Sequence, residues 1–165
     1  MIMAMITKIG YGQVEPNHLS AQRTGQIYAQ TPVADEIEVV ENGMFLKLDT
    51  EAGVLNGTGN GEWMLVYNEV KLYDNTKQGY KDFAVKKSET VGGVITPRLF
   101  KTNVGDIFTT NMIEAGLAVG DKVTPIAEGN VGVLQKHTDE DMVFEVLKLT
   151  TMPDGQPGVK VVRTK

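Results

Sequence analysis

From Asp35 onward, apolar and polar positions alternate in short runs of four to nine residues, and Gly, Asn, Asp or Pro separates one run from the next. A period of two broken by turn residues predicts half-buried strands, not amphipathic helices. Glu36 to Val40, the Glu41-Asn42-Gly43 turn and Met44 to Leu48 predict a hairpin. Trp63 to Tyr67 is the most apolar β-type run, with the lone Trp as a core anchor, and Leu72-Tyr73 would continue or pair with it before an Asn75 to Gly79 surface loop. Val94 to Phe100 is extended, with Pro97 marking an edge, boundary or bulge. Val131 to Leu134 and Met142 to Thr150 are further strands, and a turn over Met152 to Gly158 leads into Val159 to Arg163 as a terminal hairpin.

One internal echo stands out. Val104-Gly105-Asp106-Ile107-Phe108-Thr109 returns fifteen residues later as Val119-Gly120-Asp121-Lys122-Val123-Thr124. Each Gly-Asp turn leads into a strand, and a single echo of that length is too short for a solenoid. The pattern predicts two neighbouring barrel strands joined by a loop or by a short helix over Thr110 to Gly116, capped by Asn111.

Residues 1–34 follow a different rule. Lys8, Arg23, Glu15 and His18 are their only ionisable side chains, glycines and prolines interrupt them, and apolar residues (Ile9, Tyr11, Leu19, Ile27, Tyr28) occur singly, without a periodic face. This predicts an extended N-terminal arm over 1–34 and a β-rich domain over 35–165. Such an arm becomes ordered by lying on a surface, its own molecule's or a neighbour's. Tyr11, Leu19, Ile27 and Tyr28 are its candidate partner-binding residues, and removing it is expected to leave the β domain folded. The expected fold class is mainly β, an antiparallel barrel or sandwich with at most short helices.

Composition narrows the chemistry. The 165 residues contain no Cys and two His, which excludes disulfides, thiolate nucleophiles and Cys-type metal sites. A net charge of −5, with three scattered arginines, disfavours nucleic-acid binding. The apolar start is too short for a signal peptide and no run approaches a membrane span, so a soluble protein made in a cytoplasm is expected.

Candidate sites each have a plainer explanation. Gly57-Thr58-Gly59-Asn60-Gly61 resembles a phosphate loop but lacks the Gly-Lys-Ser/Thr ending and a following helix, which favours an ordinary loop. His137 to Asp141 gathers an imidazole and three carboxylates without the glycine hinge of a calcium loop. Asp106 and Asp121 are candidates for a paired-carboxylate site, yet Asp after Gly in a turn caps backbone amides. Trp63, Tyr67, Tyr73 and Tyr80 would suit a glycan platform, although core packing accounts for them as well. No motif has catalytic specificity, no cofactor or metal is implied, and the chain is not expected to be an enzyme.

The arm from Tyr11 to Gln30 and the closing Thr150 to Lys160 segment resemble small structural proteins of tailed bacteriophages, above all head decoration or cement proteins, with head-fibre bases as near neighbours. The resemblance implies a β-rich homo-oligomer, a trimer by expectation, on the capsid exterior. Its partner would be the major capsid protein, and no catalytic residue carries over. The alternative is a β-barrel ligand- or glycan-binding head of a phage fibre or surface appendage.

Overall fold

A computed structural model describes residues 6–20, 27–69, 83–137 and 140–165. Thirteen strands occur among them: β1 Val14–His18, β2 Ile27–Tyr28, β3 Val39–Glu41, β4 Phe45–Asp49, β5 Val54–Asn56, β6 Met64–Val66, β7 Ala84–Lys86, β8 Leu99–Phe100, β9 Ile107–Thr110, β10 Lys122–Glu128, β11 Val131–Lys136, β12 Phe144–Thr151 and β13 Pro157–Arg163. The helical elements that lie wholly within the described residues are single 3-10 turns at Lys87–Glu89 and Val91–Gly93.

The strands form one antiparallel sheet in the order β1-β9-β13-β12-β10-β11-β4-β6-β8-β2, with β5 added beside β4 and β3-β7 as a separate pair. The path ends at β1 and β2 without joining them, so the mainly β architecture is an open, folded sheet of sandwich type and not a closed barrel. Its folding encloses two apolar clusters. One is built around Phe45, Phe108 and Phe144, whose ring centroids lie 5.5 to 6.5 Å apart. The other is built around Val40, Leu46, Leu55, Val66 and Leu99. β4 and β6 supply both, because Phe45 and Leu65 enter the first while Leu46, Met64 and Val66 enter the second. Alternation along a strand buried on two faces produces this division.

Several sequence expectations hold. The terminal hairpin pairs β12 with β13 from Phe144↔Arg163 to Thr151↔Pro157. β6 and β11 fall where the apolar runs put them. The expected Leu72-Tyr73 strand and Asn75 to Gly79 loop lie outside the described residues.

Others are corrected. Asn42-Gly43 does turn, with Gly43 at φ 91°, but it does not close a hairpin. β3 leaves the turn to pair with β7, while β4 pairs with β5, β6 and β11. The reason lies in the Asn42 side chain, which accepts from Asn68 N–H at 2.7 Å and donates to Asn68 C=O at 3.1 Å, tying the turn to the end of β6. The short helix over Thr110 to Gly116 does not form. Ile113 instead makes a parallel bridge to Leu134, and Asn111, fully buried, accepts from Gln13 N–H at 2.6 Å rather than capping its own chain.

The two echo strands are not neighbours either, since β13 and β12 lie between β9 and β10. The echo is nevertheless a structural repeat. Gly105 N–H donates to Arg163 C=O and Arg163 N–H donates back to Asp106 C=O; Gly120 and Asp121 exchange the same two bonds with Val146. In each turn the Asp carboxylate accepts the amide three residues earlier, Asn103 at 2.9 Å and Ala118 at 2.8 Å. Each copy also leaves its Val outside, Val104 at 68% and Val119 at 65% exposure.

Candidate interaction surface

The arm is fastened to its own body. β1 pairs with β9, Val14 joins the first apolar cluster, and β2 pairs with β8. Both arm strands are thus bonded to strands of the 35–165 segment. Among the four predicted partner-binding residues, Leu19 packs on the first cluster and Tyr28 on the second, with the Lys101 ammonium 5.2 Å from the Tyr28 ring centroid. Tyr11 lies under the Lys86 ammonium at 5.2 Å and raises its pKa. Ile27 is 44% exposed, and Ile9, the remaining arm bead, is 69% exposed.

The two segments that carry the phage resemblance meet. Gln13 donates its side-chain amide to Asp154 at 2.9 Å, and Gln156 accepts from Ile9 N–H at 2.9 Å and from the Asn111 side chain at 2.8 Å. Gln156 also donates to Asp154 at 2.6 Å. Partial burial pushes the Asp154 carboxyl up, but the Gln13 and Gln156 hydrogen bonds outweigh it and hold the group below its ordinary value. A second clamp lies upstream, where Glu41 accepts from the Lys8 ammonium and from Gly12 N–H. The sequence offered no sign of these contacts, because Gln13, Asn111 and Gln156 look like ordinary turn or arm polars until the chain brings them together.

The β12 strand adds a feature of a different kind. β10 pairs with it only at Lys122↔Glu145 and Val123↔Phe144, and the Gly120-Asp121 turn extends the contact to Val146. Beyond that point, among the described residues, the outer edge of β12 from Leu147 to Thr151 has no neighbouring strand. Leu147 and Leu149 on it are 40% and 50% exposed, and the turn that binds Val146 carries the exposed Val119. One sequence sign of this was present. Within β12 the buried apolar residues Phe144 and Val146 sit at even positions, then the apolar positions become odd at Leu147 and Leu149, and the β12-β13 register shifts between Val146 and Lys148.

The other candidates are engaged locally. Asp106, 2% exposed, accepts from Ser20 N–H, Ser20 Oγ and Asn103 N–H, each at 2.9 Å, and Asp121 pairs with Lys136 at 2.9 Å. The Lys136 contact and the Ala118 amide lower the Asp121 pKa. Gly59 and Gly61 lie against the Leu48 backbone, where a Cβ would come within 2.7 and 3.0 Å of its carbonyl oxygen. Close approach is their use, as expected of an ordinary loop. Among the described residues no group of three His, Asp or Glu is placed to hold a metal ion. Trp63 borders a hollow of about 270 Å³ with Lys47, Glu62, Glu140, Asp141 and Arg163. Its ring carries the Lys47 ammonium at 4.6 Å and packs against Gly132. Tyr67 packs edge-on against Phe100, while Tyr73 and Tyr80 lie outside the described residues.

No helix among the described residues is long and apolar enough to cross a membrane. No family model, curated protein or solved structure matches the chain.

Proposed function

We propose that the protein is a structural component of a tailed-phage virion, a decoration or cement protein that binds the major capsid protein on the outside of the head. The junction of arm and terminal hairpin carries this reading. The two segments that resemble such proteins are joined through Gln13, Asp154 and Gln156, and the junction presents an exposed Ile9. Burying one such side chain contributes about 1.5–3 kcal/mol before ordering costs, so a single copy binds weakly. A lattice of copies binds firmly through multivalency.

The test is co-sedimentation with purified heads of the phage that encodes it. The Ile9→Asp, Ile27→Asp double variant should keep the wild-type urea midpoint and lose attachment. Undiminished attachment of that variant, or no attachment of the wild type, would overturn the proposal. A glycan-binding reading has its own foothold in the hollow beside Trp63. It predicts saturable quenching of the single Trp by sugars, and an unchanged spectrum would remove it.

A further inference from the structure

We infer that the free edge of β12 is a self-association site, where two copies of the chain join antiparallel, edge to edge, about a two-fold axis at Thr150. The inference deepens the assembly reading by naming a second copy as a partner.

Hydrogen bonding along the hairpin fixes which groups are available. Met152 N–H donates inward to Gln156 C=O at 2.8 Å, and Pro157, opposite Thr151, has no N–H to give. By the alternation of an antiparallel ladder, Thr150 is bonded inward to β13, while the N–H and C=O of Leu149 and Thr151 face outward. These four groups have no strand beside them among the described residues. A pairing strand must therefore place its own outward residues opposite Leu149 and Thr151.

Another β12 meets that requirement. With the axis at Thr150, Leu149 of each copy lies opposite Thr151 of the other, and the two pairs exchange about four backbone hydrogen bonds. The half-exposed Leu149 side chains become diagonal neighbours on the face that Leu149 shares with buried Val159. Charge selects this register over its neighbour. Lys148 lies opposite Lys160 within the hairpin, and neither has an ionic partner among the described residues. Centring on Thr150 sets the two Lys148 residues four positions apart along the strands, about 14 Å, which exceeds a Debye length at physiological salt. Centring on Leu149 would halve that spacing and would use the bulged Leu147.

The opposite edge of the same layer cannot serve. β1 carries Pro16 in its middle and a register shift between Pro16 and His18, both of which obstruct pairing. Of the other outer edges among the described residues, β2, β3, β5 and β7 are two or three residues long, and the part of β10 that β12 leaves unpaired carries Pro125. An edge whose unobstructed counterpart among the described residues is a copy of itself builds a two-fold contact, hence a pair and not a ring of three.

The absence of cysteine from the chain makes the test clean. Thr150→Cys puts two thiols directly opposite each other at a non-hydrogen-bonded position, where Cα atoms lie about 4.5 Å apart and a disulfide fits. Under mild oxidation the variant should form a covalent dimer at least about tenfold faster than Val91→Cys, a control at a fully exposed position on another element. Light scattering of the wild type should show a mass rising with concentration from 18.0 kDa toward twice that value, and Leu149→Lys should stay monomeric while keeping the urea midpoint. A wild type still monomeric near 1 mM, or equal oxidation of the two cysteine variants, would overturn the inference. These measurements use the isolated protein, so their failure is distinct from a failure to bind capsids.

Discussion

Asp106 shows how a single residue decides local structure. One buried carboxylate satisfies two backbone amides and a hydroxyl from two distant segments, since Ser20 belongs to the arm and Asn103 to the turn before β9. Asp106→Ala strands these donors and should lower stability by about 3 kcal/mol in urea denaturation. The equivalent Asp121→Ala, at a half-open turn, should cost distinctly less. Gly132→Ala drives a methyl within 2.6 Å of the Trp63 ring; a loss of about 1–3 kcal/mol with a shift in Trp fluorescence is expected. Asp154 gives a pH dependence. Its folded pKa lies below its unfolded value, so the stabilisation is complete above the ordinary carboxylate range and is lost as pH falls through the depressed value. Amide exchange at Ile9 and Gln13 should rise in that acid window, and Asp154→Asn should flatten the response.

Among the elements, the arm takes the first of its two expected places, the surface of its own molecule. Deletion of residues 1–34 removes β1, β2, Val14 and Val33, which belong to the sheet and to both apolar clusters. The truncated chain should therefore lose its cooperative urea transition, monitored by circular dichroism, instead of leaving a folded domain. The terminal hairpin was legible because Val143 to Val146 and Val159 to Val162 flank an Asp154-Gly155 turn, a local arrangement. The strand partners of β3 and β4 were not legible, because Asn42 ties its turn to Asn68 across twenty-six positions. The echo lies between these cases. Its turns were visible in Gly105-Asp106 and Gly120-Asp121, while the two strands inserted between β9 and β10 come from the far end of the chain. Of the candidate site, Leu19 and Tyr28 were visible as apolar beads, but which beads the molecule would cover itself was not. The edge at Leu149 depended on where β10 stops.

For the whole molecule, the order β1-β9-β13 matters most. β9 lies between the first and last strands of the described chain, so the layer is complete only when both ends have docked. Contacts of such sequence separation fold slowly, on the millisecond-to-second scale, and stopped-flow Trp63 fluorescence should show it. Removing residues 157–165 should abolish the slow phase together with the native signal.

The same three strands have a mechanical consequence. β1 and β13 run parallel to each other, both antiparallel to β9, with Val14 and Val159 aligned at Thr110 and His18 and Val162 aligned at Ile107. The chain enters this layer at one end and leaves it at the other. Tension between the termini therefore loads both ladders lengthwise, in shear, so that their hydrogen bonds resist together instead of parting one at a time. Single-molecule stretching should give a high rupture force followed by abrupt extension, the behaviour of a mechanical clamp.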